Sequence, residues 1–171
     1  SARSITFALQ ACMTNIDGFM DWYLMRQEIL KSDPLARFFN DLRRVTQHIG
    51  ESVVNAGCCS SHKPLYFFEP CTDLPTVPTM DVVSASEKYY KTVLELVFTC
   101  YLDFGTSIDA WQYLTEEHFI YLGKTIEDAE EELGLPRGYT DIGVPESASC
   151  RWETLRGTVS GCQIQEQFYR W

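Results

Sequence analysis

The sequence lacks a run of 18 or more apolar residues, which argues against a transmembrane helix. It also lacks a Gly-x-Ser-x-Gly elbow and a glycine-rich phosphate loop, which argues against the common serine hydrolases and P-loop nucleotidases. Basic residues are scarce, with 14 Lys and Arg against 24 Asp and Glu. The net charge of −10 disfavours broad, nonspecific nucleic-acid binding and leaves room only for a small, local basic site.

The composition is otherwise that of a globular protein. Hydrophobic residues make up 45 % of the 171 residues and aromatic residues 13 %, enough to bury a core. The length predicts a single domain covering residues 1–171. The seven cysteines are odd in number and predict free thiols in a reducing cytoplasm.

Apolar periodicity predicts two helices in the first 50 residues. One runs over residues 2–30, where apolar side chains recur at alternating spacings of three and four. A second runs from Pro34 to about Ile49. Asp33 suits its N-cap, and Gly50 is a plausible end signal.

Two further helices follow in the second half of the chain. The third covers about residues 85–108, opened by a capping box from Ser84 to Glu87, and is apolar nearly all round. The fourth starts at Thr115 and runs to about residue 133. Its acidic run, residues 127–132, is interpreted as a solvated face.

The remaining segments contain turn signals rather than helical periodicity. Residues 51–83 are predicted to be an insertion with one or two short strands, because prolines interrupt anything longer. Residues 137–171 are predicted to form an irregular tail. The predicted fold is therefore all-α: a bundle of about four helices with a small β-containing insertion after the second helix.

The most informative segment is Phe38-Phe-Asn-Asp-Leu-Arg-Arg-Val-Thr-Gln-His-Ile-Gly50, late in the second helix. Its Arg43-x4-His48 pattern, together with the preceding Asp33-Pro-Leu-x-x-Phe-Phe-Asn-Asp-Leu-Arg43, resembles the HEPN superfamily (higher eukaryotes and prokaryotes nucleotide-binding). The segment is similar to uncharacterised bacterial members of that group. The resemblance covers mainly residues 1–50.

The resemblance implies a HEPN-like bundle and a metal-independent endoribonuclease that acts as a homodimer, without a cofactor. Arg43 would stabilise the scissile phosphate, and His48 would act as general base or acid for attack by the ribose 2′-hydroxyl. Arg44 and Asn40 are the predicted substrate-binding residues. A cytoplasmic role as a toxin or in phage defence, with an antitoxin or other protein partner and no membrane, is implied by the same analogy.

Helical geometry leaves the phosphate contact open between two arginines. On an ideal α-helix Arg43 and His48 are about 140° apart, whereas Arg44 and His48 are only about 40° apart. Arg44, or both arginines, could therefore hold the phosphate. If the two arginines instead have only a structural role, they are expected to pair with carboxylates such as Asp41. The alternative function is a non-catalytic HEPN-like module that binds a nucleotide or a protein partner.

A second candidate site is Cys58, Cys59, His62 and Cys71, whose residue types are those of zinc ligands. Their spacing is irregular and no second Cys-x2-Cys pair exists. A loop with incidental thiols is the favoured interpretation, and no metal is predicted.

Overall fold

The fold is known from a computed structural model that describes residues 2–50, 52–60, 63–141, 143 and 148–170. The chain divides into two compact units, Ser1–Val97 and Phe98–Trp171. The described residues are mostly helical, with one small two-stranded antiparallel sheet, so the predicted predominantly α-helical fold is confirmed. No helix within the described ranges is long and apolar enough to cross a membrane.

The elements up to the unit boundary, which lies after Val97, are three helices, a π-helical turn, a hairpin and the start of a long helix. In chain order they are α1 (Ala2–Met13), α2 (Phe19–Ser32), α3 (Pro34–Arg44), the π turn (Val45–Ile49), β1 (Val54–Ser60), β2 (Lys63–Phe68) and α4 (Val82–Ile108).

The single helix predicted over residues 2–30 is wrong, because the chain turns between α1 and α2. Gly18 precedes α2 at a φ of 74°, in the left-handed region that only glycine adopts readily. The Thr14 hydroxyl donates to the Gln10 carbonyl at 2.6 Å and satisfies one of the last carbonyls of α1. The apolar spacing of three and four residues continues across this break, so the periodicity predicted one long helix instead of two shorter ones.

The start of α3 and the small sheet agree with the predictions. The Asp33 carboxylate accepts from the backbone N–H groups of Leu35 and Ala36 at 2.7 and 3.1 Å, as an N-cap should. The predicted insertion contains β1 and β2, an antiparallel pair. Phe38 of α3 and Phe68 of β2 belong to one core, together with Val45, Val53, Leu74 and Ala85.

The predicted capping box of α4 is replaced by a different cap. Asp81, rather than Ser84, accepts from the N–H groups of Val83 and Ser84 at 3.0 and 3.2 Å. The Ser84 hydroxyl donates to the same carboxylate at 2.5 Å. A carboxylate at the N-cap also interacts favourably with the helix dipole, so α4 begins three residues earlier than predicted.

Among its described residues, the second unit has five short helices after the end of α4: α5 (Ala110–Tyr113), α6 (Glu116–Tyr121), α7 (Ile126–Glu132), α8 (Ala148–Gly157) and α9 (Ile164–Tyr169). Thr115 caps α6 as predicted, but the fourth helix is divided. Gly123, at a φ of 68°, ends α6, and a capping box between Thr125 and Asp128 starts α7.

The tail that was predicted to be irregular contains α8 and α9. Trp152 and Leu155 on α8 are buried and belong to the core of this unit, together with Leu114, Phe119 and Ala129. The scattered aromatic residues signalled that the tail packs, but the periodicity was too short to indicate helices.

The acidic run on α7 is not uniformly solvated, which corrects the prediction. Glu130 is fully buried. Its carboxylate accepts from the Thr140 N–H at 2.8 Å, from the Thr140 hydroxyl at 2.7 Å and from the Gly138 N–H. Arg151 reaches the same carboxylate at 3.4 Å and Glu127 at 2.9 Å. The run therefore anchors the following loop and α8 instead of facing only water.

Candidate functional site

The predicted site lies on the side of α3 that faces away from its core. Phe38 and the following Val45 are buried, whereas Arg37, Asn40 and Arg44 are exposed at spacings of three and four residues. We call Arg37, Asn40, Arg43 and Arg44 the basic face of α3. The helix has three arginines and one aspartate in a chain of net charge −10, so it is a local concentration of positive charge.

The two arginines of the motif have different surroundings. Arg43 is partly buried, and its Nε donates to the Gln47 side-chain oxygen at 2.9 Å. Arg44 is exposed, and its terminal nitrogen lies 3.5 Å from the Asp73 carbonyl oxygen, at the limit of a hydrogen bond. Neither arginine forms an ion pair with any described residue, Asp41 included.

His48 belongs to the π turn that follows α3. The Gly50 N–H donates to the Val45 carbonyl five residues earlier at 3.1 Å, and Gly50 has a φ of 75°. The Thr46 hydroxyl donates to the carbonyls of Leu42 and Arg43 at 2.9 and 3.3 Å, as a threonine inside a helix commonly does. The His48 side chain lies outside the described part of the structure.

The π turn changes the geometric argument about Arg43. A π turn closes over five residues instead of four, so positions five apart lie nearer in angle than on an α-helix. The backbone positions of Arg43 and His48 are therefore closer to one face than the ideal helix predicted. Arg44 stays close to that face as well.

A groove of about 840 Å³ adjoins the first half of α3. Its walls include Phe38 of α3 and the segment from Asp73 to Met80, which contains Pro75 and Pro78. Arg37 and Lys88 line it together with the carboxylates of Asp33, Asp41 and Asp73, so its charge is mixed. Sequence reasoning missed this groove, and the closely spaced prolines were its only signal.

A smaller cavity of about 260 Å³ lies on the other side of Arg37. It brings Asn40 of the predicted site together with Arg37, Lys31 and Gln27, and no carboxylate is among its lining residues. Arg37, Lys31 and Gln27 were not predicted as site residues. The only sequence signal for Arg37 is its position three residues before Asn40 and seven before Arg44.

Of the four candidate zinc ligands Cys58, Cys59, His62 and Cys71, the structure describes the side chains of Cys58 and Cys71. Cys58 is exposed in β1, and Cys71 forms an isolated bridge with Leu74. His62 and the side chain of Cys59 lie outside the described residues. Within the described ranges, no group of three or more His, Cys, Asp or Glu is placed to hold a metal ion.

Comparison with protein-family models, with curated proteins and with solved structures gave no match for this chain. The function therefore has to be argued from the side chains and their surroundings.

Proposed function

We propose that this chain is a metal-independent endoribonuclease of the HEPN type, with a HEPN-like helical bundle, whose site is the basic face of α3 and His48. The observation that carries the proposal is the state of Arg43 and Arg44. In a strongly acidic chain, both lie on one helix without a carboxylate partner among the described residues. The π turn that contains His48 adds support, because such turns occur frequently at functional sites.

The proposed reaction is an internal transfer of the phosphodiester. His48 takes the proton of the ribose 2′-hydroxyl, and the oxygen attacks the neighbouring phosphorus. Arg43 stabilises the charge that builds up on the phosphoryl oxygens, because a guanidinium stays protonated and donates two parallel hydrogen bonds. The bond to the 5′-oxygen breaks and that oxygen takes a proton, leaving a 2′,3′-cyclic phosphate and a 5′-hydroxyl.

The acid and base steps are assigned to histidine because its ordinary pKa is close to neutral. If one His48 takes the proton from the 2′-hydroxyl and then gives it to the leaving 5′-oxygen, it returns to its starting state after each cleavage. In a homodimer, the two copies of His48 would divide the two steps. Arg44 and Asn40 bind the substrate beside the reacting phosphate, and the scheme uses no cofactor.

Homodimerisation is part of the proposal because the resemblance implies a site composed of two motifs. Sedimentation should therefore give a dimer at micromolar concentration. If the protein is a strict monomer under these conditions and still cleaves RNA, the site is not composed of two motifs. The chemistry would then be carried out by a single motif. The proposed setting is the cytoplasm, in toxin or phage-defence activity, where a protein antitoxin would cover the basic face.

The direct test is incubation of a mixed RNA pool in EDTA between pH 6 and 8, with analysis of the product ends. Wild type should cleave and leave 2′,3′-cyclic phosphates. His48→Ala should be at least about 100-fold slower, the usual contribution of a general acid or base. Circular dichroism provides the control that the variant is folded.

Two outcomes would contradict the nuclease proposal. Folded wild type that cleaves nothing across this pH range would favour the non-catalytic module that binds a nucleotide or a protein partner. Cleavage that survives in His48→Ala at the wild-type rate would place the activity elsewhere or in a contaminant. Linear 3′-phosphate ends formed from the start would contradict attack by the 2′-hydroxyl.

A further inference from the structure

The 260 Å³ cavity beside α3 has the chemistry of an anion site. Two cations line it, Lys31 at the end of α2 and Arg37 on α3, and none of its lining residues is acidic. Lys31 pairs with Glu28 at 2.7 Å, but both side chains are largely exposed, so this pair is weak. Arg37 has no ion pair or side-chain hydrogen bond with any residue in the described ranges.

Two aromatic side chains in the wall of the cavity are held in position by contacts with neighbouring residues. Tyr23 is buried, and its hydroxyl donates to the Thr6 carbonyl at 3.1 Å. Tyr89 stacks on Phe39 with ring centroids 4.6 Å apart and planes at 6°. Both rings therefore have fixed orientations, and a site that is already ordered loses less conformational entropy on binding.

The remaining polar groups suit a nucleobase. Gln27 carries an amide, which offers two donors and one acceptor oxygen. Amide side chains and aromatic rings are the groups by which proteins recognise unpaired bases, through hydrogen bonds to the base edge and stacking. The volume is just below the range of about 300–1,000 Å³ typical of drug-sized ligands, which limits the occupant to one nucleotide unit.

We infer that this cavity binds a single nucleotide of the RNA strand, with its phosphate on Arg37 and Lys31 and its base against Gln27 and Tyr89. The inference rests on the proposed function only in treating the nucleotide as part of an RNA substrate. Arg37 and Arg43 are six residues apart on α3, about 9 Å along the axis, so the cavity serves a nucleotide close to the cleaved bond. It thereby selects the sequence at which the strand is cut.

The experiment measures binding of adenosine 5′-monophosphate and of inorganic phosphate to the full chain by calorimetry, without any cleavage step. Wild type should bind the nucleotide with a Kd below about 1 mM and at least about tenfold more tightly than phosphate. Arg37→Gln should weaken both ligands about tenfold, since a charge-assisted hydrogen bond is lost. Gln27→Ala should weaken the nucleotide and leave phosphate unchanged.

Lys91→Gln is the matched control, because Lys91 is an exposed cation of α4 that lines neither cavity. It should bind both ligands like wild type. The inference would be overturned if wild type did not bind the nucleotide, or if it bound nucleotide and phosphate equally well. It would also be overturned if Arg37→Gln bound both ligands like Lys91→Gln. Nucleotide binding without RNA cleavage would instead contradict the nuclease and leave the cavity assignment intact.

Discussion

Arg43→Ala should lower the rate of RNA cleavage about 100-fold or more, whereas Arg44→Ala should lower it by less than about tenfold. The difference follows from how the two guanidinium groups are held. Arg43 is partly buried and its Nε donates to Gln47, so we expect its guanidinium to need less reordering in the transition state. Arg44 is exposed and only weakly bound to the Asp73 carbonyl.

The measurement is single-turnover cleavage of one labelled RNA, which reports the chemical step without product release. Arg43→Lys keeps the charge but loses the forked geometry, so it should recover only part of the lost rate. Lys91→Gln is the control for the change in net charge. A larger loss in Arg44→Ala than in Arg43→Ala would assign the phosphate contact to Arg44, as the ideal-helix geometry suggested.

The features of the fold that were predictable from sequence are those set by neighbouring residues. Asp33 and Thr115 cap helices because a short polar side chain reaches N–H groups two or three residues ahead. Gly50 ends the π turn because it adopts a positive φ without strain. The short strands of the proline-rich insertion followed from the same local reasoning, whereas their pairing as a hairpin is known only from the structure.

The wrong predictions depend on contacts between distant residues or on breaks that periodicity conceals. Apolar spacing continued through Gly18 and Gly123, so two long helices were predicted where the chain forms four shorter ones. Glu130 looked like one of several surface acids. Its burial is explained by Gly138, Thr140 and Arg151, which lie 8, 10 and 21 residues away. A sequence pattern within one helix contains no information about such partners.

The candidate site shows the same division. Arg43 and His48 were proposed because their spacing and residue types resemble a known motif, and Arg44 because helical geometry places it close to His48. The π turn was not predicted, because apolar spacing does not reveal that the Gly50 N–H donates to the Val45 carbonyl five residues earlier. The small cavity was also missed, since Gln27, Arg37 and Tyr89 come from three different helices.

Glu130→Ala should lower the free energy of unfolding by about 3 kcal/mol. The substitution leaves two backbone N–H groups and the Thr140 hydroxyl without their acceptor, and it removes one of the two carboxylates that Arg151 contacts. Urea unfolding followed by circular dichroism measures the loss. Glu131→Ala is the matched control: Glu131 is an exposed neighbour paired only with Arg137, and its loss should cost less than about 1 kcal/mol.

The pH dependence of the free energy of unfolding separates the contribution of the Glu130 charge from that of its side-chain shape. Burial alone would raise the pKa of this carboxyl, but hydrogen bonds from Thr140 and Gly138 and the charge of Arg151 outweigh it and lower the pKa. A lowered folded-state pKa means that the stabilisation is complete above the unfolded value of about 4.3 and is lost as the pH falls towards the folded value. The stability difference between wild type and Glu130→Gln should therefore shrink between about pH 5 and 3. The other acids of α7 titrate in both proteins and cancel. A difference that stayed constant over this range would mean that Glu130 has the same pKa in the folded and the unfolded chain, and would contradict the lowered pKa.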